Sequence, residues 1–132
     1  MIHLRAAEPQ DEAYFLALRR EIQSNLTSEE HSQWWETFEH RFIASDGALT
    51  VGVIRITNLG AGDGLVHLQV SKPFQGKGYG TEMLLAVKQQ AEALGFRVLH
   101  ATISRENGAS QAAFTRAGWK PTRPARNYGT IF

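Results

Sequence analysis

The chain has 132 residues, which suits one domain over residues 1–132 and leaves no room for two. Its 42% hydrophobic and 20% charged residues exclude a disordered chain, and 14 Lys and Arg against 13 Asp and Glu lack the basic excess of a dedicated nucleic-acid binder. Zero cysteines exclude a disulfide framework, a thiolate zinc site and a cysteine nucleophile. No apolar run approaches the roughly 18 residues of a membrane span, and MIHLRAAEPQDE lacks the basic-then-apolar order of a signal peptide. A cytoplasmic protein without a membrane or nucleic-acid partner is expected.

Met1 to Ala6 reads as a short strand. Pro9-Gln10-Asp11 opens a helical pattern in which Tyr14, Phe15, Leu18 and Ile22 share a face. A second helix starts at Thr27 or Ser28, with Glu29 and Glu30 in its first turn, carries Trp34, Trp35 and Phe38 on one side, and is expected to end near Arg41. Phe42 to Ser45, Leu49 to Thr57 and Leu65 to Val70 read as strands joined by the turns at Asp46-Gly47 and Gly60 to Gly64, hence antiparallel. Beyond Val70 the pattern alternates between α and β. A Gly-rich loop, Pro73 to Gly80, leads into a helix over Thr81 to Leu94 with a buried stripe of Met83, Leu84, Val87 and Ala91, stopped by Gly95. Val98 to Ile103 is a strand and Asn107 to Ala117 a helix ended by Gly118. Trp119 to Thr122 and Asn127 to Phe132 complete a short C-terminal pair, which Pro121 and Pro124 confine to an edge or a bulge. The expectation is an α/β (α+β) domain: a mixed, mostly antiparallel sheet of six or seven strands flanked by four helices.

The loop Gln75-Gly76-Lys77-Gly78-Tyr79-Gly80 sits between a strand and a helix. Glycines let consecutive N–H groups turn toward one point, and the helix start adds its own unpaired donors, so the pocket suits an anion. Gln75 and Lys77 add side-chain donors. The loop fails the nucleotide pattern G-x-x-x-x-G-K-S/T, because Ser71 holds the first position and Gly78 follows Lys77. It also fails G-x-G-x-x-G, because its glycines fall at 76, 78 and 80. From spacing alone, an anion site and a plain strand-to-helix turn both stay open.

Leu68 to Gly118 resembles the acetyl-CoA-binding half of the GNAT N-acetyltransferases. Val70, Gln75, Gly76, Gly78, Gly80, Leu84-Leu85, Asn107, Ser110, Phe114 and Gly118-Trp119 occur in that family's order and at its distances. The resemblance implies acetyl-CoA as cofactor and no metal. It implies that main-chain N–H groups of residues 76 to 81 (Gly76, Lys77, Gly78, Tyr79, Gly80 and Thr81) bind the pyrophosphate. The strand edge at Leu68 to Val70 would pair with the pantetheine arm, and the Val70 N–H would polarise the thioester carbonyl. Asn107 and Ser110 would touch the far end of the arm or the phosphates.

Acetylating an amine requires its deprotonation. The resemblance puts His67 beside the thioester carbonyl, where its ordinary pKa of about 6.5 suits a base. The alternatives are that His67 packs on the other face of the sheet, or that Glu36, Glu39 or a water is the base. Many relatives use a Tyr acid where this chain has Phe114. The thiolate then leaves unassisted, is protonated by water, or is served by Tyr79 or Tyr128. The stretch Ser28 to Trp35 resembles a segment of relatives that acetylate nucleotide-linked amino sugars, which makes His31, Trp34 and Trp35 acceptor-binding candidates; the other reading of the indoles is core filling. Arg41 and Arg55 are candidates to bind an acceptor, by pairing with its acidic group; the other reading is that they form surface ion pairs. The histidines at 3, 31, 40, 67 and 100 show no metal-ligand spacing.

The function implied is acetyl-CoA-dependent N-acetylation of a small primary amine, by direct attack in a ternary complex. The acceptors considered are a nucleotide-linked amino sugar, an amino acid, a polyamine or a protein N-terminus. The rival is a non-catalytic CoA-sensing or partner-docking module, favoured only by Phe114. A monomer or a homodimer fits equally.

Overall fold

The computed structural model describes residues 1–37, 40–103, 108–122 and 127–131. Strand β1 (Ile2–Ala6) is followed by a 3-10 turn at Pro9–Asp11, helix α1 (Glu12–Ile22) and helix α2 (Ser28–Trp35). Arg5 ties the first of these together, its guanidinium donating to both Asp11 carboxylate oxygens at 2.8 and 2.9 Å. Thr27 caps α2 through a reciprocal pair: the Glu30 N–H donates to Thr27 Oγ1 at 3.1 Å, and the Thr27 N–H donates to Glu30 Oε1 at 3.0 Å.

Helix α2 stops at Trp35, six residues before the expected end near Arg41. The Thr37 N–H and hydroxyl both donate to the Trp34 carbonyl, at 2.9 and 2.7 Å, which tightens the last turn. His40 and Arg41 instead join strand β2 (His40–Asp46), opposite Ile56 and Arg55 of strand β3 (Leu49–Gly60). Strand β4 (Asp63–Val70) pairs antiparallel with β3. Helix α3 (Tyr79–Ala93) then crosses to strand β5 (Val98–Thr102), which lies parallel to β4. It begins two residues before the expected Thr81, because Gly78 turns into the left-handed region at φ 85° and serves as its N-cap. Helix α4 (Gly108–Arg116) and the short strands β6 (Lys120–Thr122) and β7 (Asn127–Ile131) complete a seven-stranded sheet of order β1-β2-β3-β4-β5-β7-β6.

The two faces of the sheet carry different cores. Ile54, Ile56, Val66 and Leu99 pack with Met83, Leu84, Val87 and Ala91 of α3 and with Phe114 and Trp119. These are the four α3 residues expected to be buried. On the other face, Ile43 and Val53 meet Phe15 and Leu18 of α1, with Trp34 and Trp35 of α2 alongside. Residues 53, 55, 67 and 69 therefore share the α1–α2 side of their strands, by the two-residue period of a strand.

Candidate active site

The site lies where the sheet splits. Strands β4 and β5 pair only from Asp63–Val98 to Leu65–His100, while β4 continues beside β3 as far as Val70. From residue 66 onward one edge of β4 thus faces a gap. The Ser71 N–H donates to the Val51 carbonyl at 2.8 Å. With Gly52 opposite Val70 and Val53 opposite Gln69, antiparallel alternation turns the main-chain groups of His67 and Gln69 toward β3, and those of Leu68 and Val70 into the gap. The Val70 carbonyl accepts from Gln75 Nε2 at 2.9 Å, so the Gln75 amide holds the loop on the strand end.

Two cavities meet at this gap. The larger, of about 590 Å³, runs along the loop past Val70, Gly76, Gly78, Tyr79, Gly80 and Thr81 to Ser110 and Phe114 of α4. Gly76 and Gly78 have φ of 77° and 85°, conformations open to glycine and costly for other residues. Among the described residues, no acceptor takes the N–H groups of Gly76 to Thr81; the nearest bonds start at Glu82, which donates to the Gly78 carbonyl at 3.3 Å, and end at Gln75, which donates to the Lys72 carbonyl. Consecutive bare donors at the start of a 15-residue helix make a cradle for a diphosphate. The residues present thus fit a pyrophosphate-bearing carrier. Lys77 is exposed, with its ammonium 5.9 Å from the Phe74 ring centroid.

The smaller cavity, of about 270 Å³, opens on the α1–α2 side and shares Leu68, Gln69, Ser110 and Phe114 with the first. Its wall carries Arg19, Trp34, Arg55 and His67. Arg55 and His67 are cross-strand neighbours on β3 and β4. Burial, then the charges of Arg19 and Arg41, push Arg55 down to about 10. Burial, then the Arg55 guanidinium, pushes the His67 imidazole down to about 4, so His67 is neutral at physiological pH. Strand alternation thus places His67 on the cavity side with Gln69, whose Nε2 donates to the Leu18 carbonyl.

His31, Trp35 and Arg55 do not all stand on this wall. Arg55 does. His31 is 1% exposed and lies behind Arg19, whose Nη1 donates to its Nδ1 at 3.1 Å; burial, then Arg19, lowers its pKa. Trp35 packs edge-on against Phe15 with centroids 5.1 Å apart and under the Arg41 guanidinium at 4.0 Å, while its neighbour Trp34 reaches the cavity. Tyr79 donates its hydroxyl to Asp46 Oδ2 at 2.8 Å, a bond that raises its pKa. Glu36 is exposed beyond the end of α2. Phe114, 4% exposed, stands edge-on to Trp119 at 4.9 Å. Asn107 and Glu39 lie outside the described residues, as does the Tyr128 side chain. Arg19 and Gln69 escaped the sequence reading. Gln69 was findable two residues from His67 on one strand face, whereas nothing local marks Arg19. Among the described residues no cluster of His, Asp or Glu has the makings of a metal site, and no helix is long and apolar enough to cross a membrane.

The sheet is parted between two parallel strands, with the main-chain N–H groups of Gly76 to Thr81 on one side of the gap and a pocket carrying Arg19 and Arg55 on the other, an arrangement that fits transfer of a group from a phosphate-bearing carrier to an acceptor. The acetyltransferase (GNAT) domain model matches residues 2–120, and the chain belongs to the GNAT acetyltransferases. No curated protein sequence matches it significantly. Among solved structures, a domain from Methanocaldococcus jannaschii superposes with a TM-score of 0.85 at 22% identity, covering 100% of this chain and 99% of its own. Spermidine N-acetyltransferase from Vibrio cholerae, solved with CoA and spermine, gives 0.83 at 15%, covering 98% and 95%. The aminoglycoside acetyltransferase AAC(6')-Ib, solved with coenzyme A and kanamycin, gives 0.84 at 15%, covering 99% and 95%. At these identities the likeness concerns the fold.

Proposed function

We propose that this acetyltransferase uses acetyl-CoA to acetylate a small primary amine by direct attack, with both substrates held at the split in the sheet. The meeting of the two cavities beside the gap-facing edge of Leu68 and Val70 carries this reading. Acetyl-CoA supplies an activated acetyl thioester. The N–H groups of Gly76 to Thr81 hold its pyrophosphate, Ser110 and Phe114 flank its arm, and the Val70 N–H polarises its carbonyl. Asn107 is assigned to the far end of the arm from its place in the family pattern. The acceptor enters from the α1–α2 side, where orientation in one cleft supplies much of the rate. The N–C bond forms as the C–S bond breaks, and CoA leaves as thiolate. The amine proton passes to the neutral imidazole of His67 and from there to solvent; at about 4 His67 is a weaker base than its ordinary 6.5 suggests, so it relays the proton and does not keep it. The structural neighbours crystallised with spermine and kanamycin make small amines the first acceptors to test, and a nucleotide-linked amino sugar belongs in the same panel. His31 and Trp35 serve the acceptor side indirectly, by backing Arg19 and α1.

The test is release of free thiol from acetyl-CoA across an amine panel, with calorimetric titration of CoA alone. Amine-dependent release together with CoA binding is expected. CoA binding without release from any amine would overturn the reading.

A further inference from the structure

Resting on the acetyltransferase reading above, we propose that Ile22, the last residue of α1, packs on the acyl end of the bound carrier and distinguishes acetyl-CoA from CoA. Phe15, Leu18 and Ile22 share the apolar face of α1 at helical spacing. Phe15 and Leu18 are each 1% exposed and pack with Ile43 and Val53, whereas Ile22 is 79% exposed. The apolar face thus runs past its packed core and ends over open space. The helix end is pinned there against β4. Gln69 Nε2 donates to the Leu18 carbonyl, and the Lys72 N–H, just beyond β4, donates to Glu21 Oε1 at 3.2 Å. Arg20 Nε donates to the Leu26 carbonyl at 2.9 Å and fixes the chain that follows. A β-branched side chain on a fixed backbone has little rotamer freedom to lose when a ligand covers it.

Single apolar side chains on a surface are ordinary, and Met1, Leu49, Leu59, Leu85 and Leu94 are exposed as well. None of these lines either cavity, whereas Ile22 lines both. Together with Leu68, Gln69, Ser110 and Phe114 it forms the stretch of wall that the two cavities share. Under the proposed function that stretch surrounds the group being transferred, since carrier and acceptor meet there. Ile22, Leu68 and Phe114 give it apolar surface, and the Gln69 Nε2 is already bonded to α1. Such a wall suits the methyl and sulfur of an acetyl thioester better than an amine, which needs hydrogen-bonding partners once it leaves water.

The experiment is calorimetric titration of acetyl-CoA and of CoA, without any amine, into the wild type and Ile22→Ala. Truncating an exposed side chain at a helix end leaves the fold intact, which an unchanged unfolding transition checks. The readout is the ratio of the two affinities. Ile22→Ala should lower the preference for acetyl-CoA over CoA by about threefold to tenfold, the worth of one or two apolar carbons in contact. CoA itself should change by less than about twofold. An unchanged ratio overturns the proposal. Equal weakening of both ligands would put Ile22 on the pantetheine arm, and no change in either would leave it to the acceptor or to solvent. If the wild type binds neither ligand, the acetyl-CoA reading itself fails and the proposal falls with it, a result distinct from both of these.

Discussion

The two cavities that meet beside β4 are made of different material. On the loop side the groups proposed to bind are main-chain N–H donors of Gly76 to Thr81, and among their neighbours Gln75 turns to the Val70 carbonyl and Tyr79 to Asp46. On the α1–α2 side the working groups are guanidinium, indole and imidazole, brought in by α1, α2, β3 and β4. Main-chain donors bind one chemical group, a phosphate, whatever side chains decorate the loop. Long side chains can be exchanged one at a time without disturbing the sheet. Under the proposed function, recognition of the acyl carrier falls to the main chain and choice of acceptor to side chains.

Substitutions that respect this division should separate the two functions. The largest effect is expected from Gly78→Val: a β-branched residue at φ 85° strains the helix start by about 1–3 kcal/mol. Loss of the cradle should weaken CoA binding by roughly a hundredfold, read by calorimetry. Intact affinity would remove the main-chain cradle from the account. On the other side, His67→Gln tests the buried imidazole. His67 falls from its ordinary 6.5 to about 4 on folding, so between those values the unfolded chain binds a proton that the folded one refuses. That contribution to stability is complete above about pH 6.5 and is lost as pH falls toward 4. At pH 5 the wild type should lose about 1–2 kcal/mol relative to pH 7.5 that His67→Gln retains, measured by urea unfolding. His31, also lowered, keeps part of the slope in both proteins. The same substitution should lower kcat/KM by about tenfold to a hundredfold if His67 carries the proton, and an unchanged pH profile would release it from that role. Thr27→Ala removes the α2 cap and should cost about 1 kcal/mol in unfolding, with CoA affinity untouched. The smallest effect belongs to Tyr79→Phe, which keeps the loop N–H and loses only the bond to Asp46. Stability should fall only slightly, because the bond is partly exposed to solvent, and kcat should hold within about threefold, whereas loss of an acid would lower it by about a hundredfold or more.

The parts legible in the sequence are those with local causes. The buried stripe of α3 follows from helical spacing, and the strands from Leu49 to Val70 from their period and turns. The loop could be read because positive φ at positions 76 and 78 demands glycine. The end of α2 was illegible, because the pattern from Trp34 to Arg41 suits a helix until Thr37 closes the turn and β3 recruits His40 and Arg41. The pocket on the α1–α2 side was half legible. Arg55 and His67 could be suspected separately, but their pairing is a matter of β3–β4 register. Arg19 gives no local sign that it will stack on Trp34.

By itself the sequence determined the α/β class, a glycine turn between strand and helix, and a helix start behind it, because backbone dihedrals and side-chain periodicity act within a few residues. Only the tertiary structure decided that β4 and β5 part after Leu65, that Leu68 and Val70 turn their main chain into the gap, and that Arg19 and Arg55 share one indole. Those relations depend on register and on contacts between segments far apart in the chain, and no short stretch of residues encodes them.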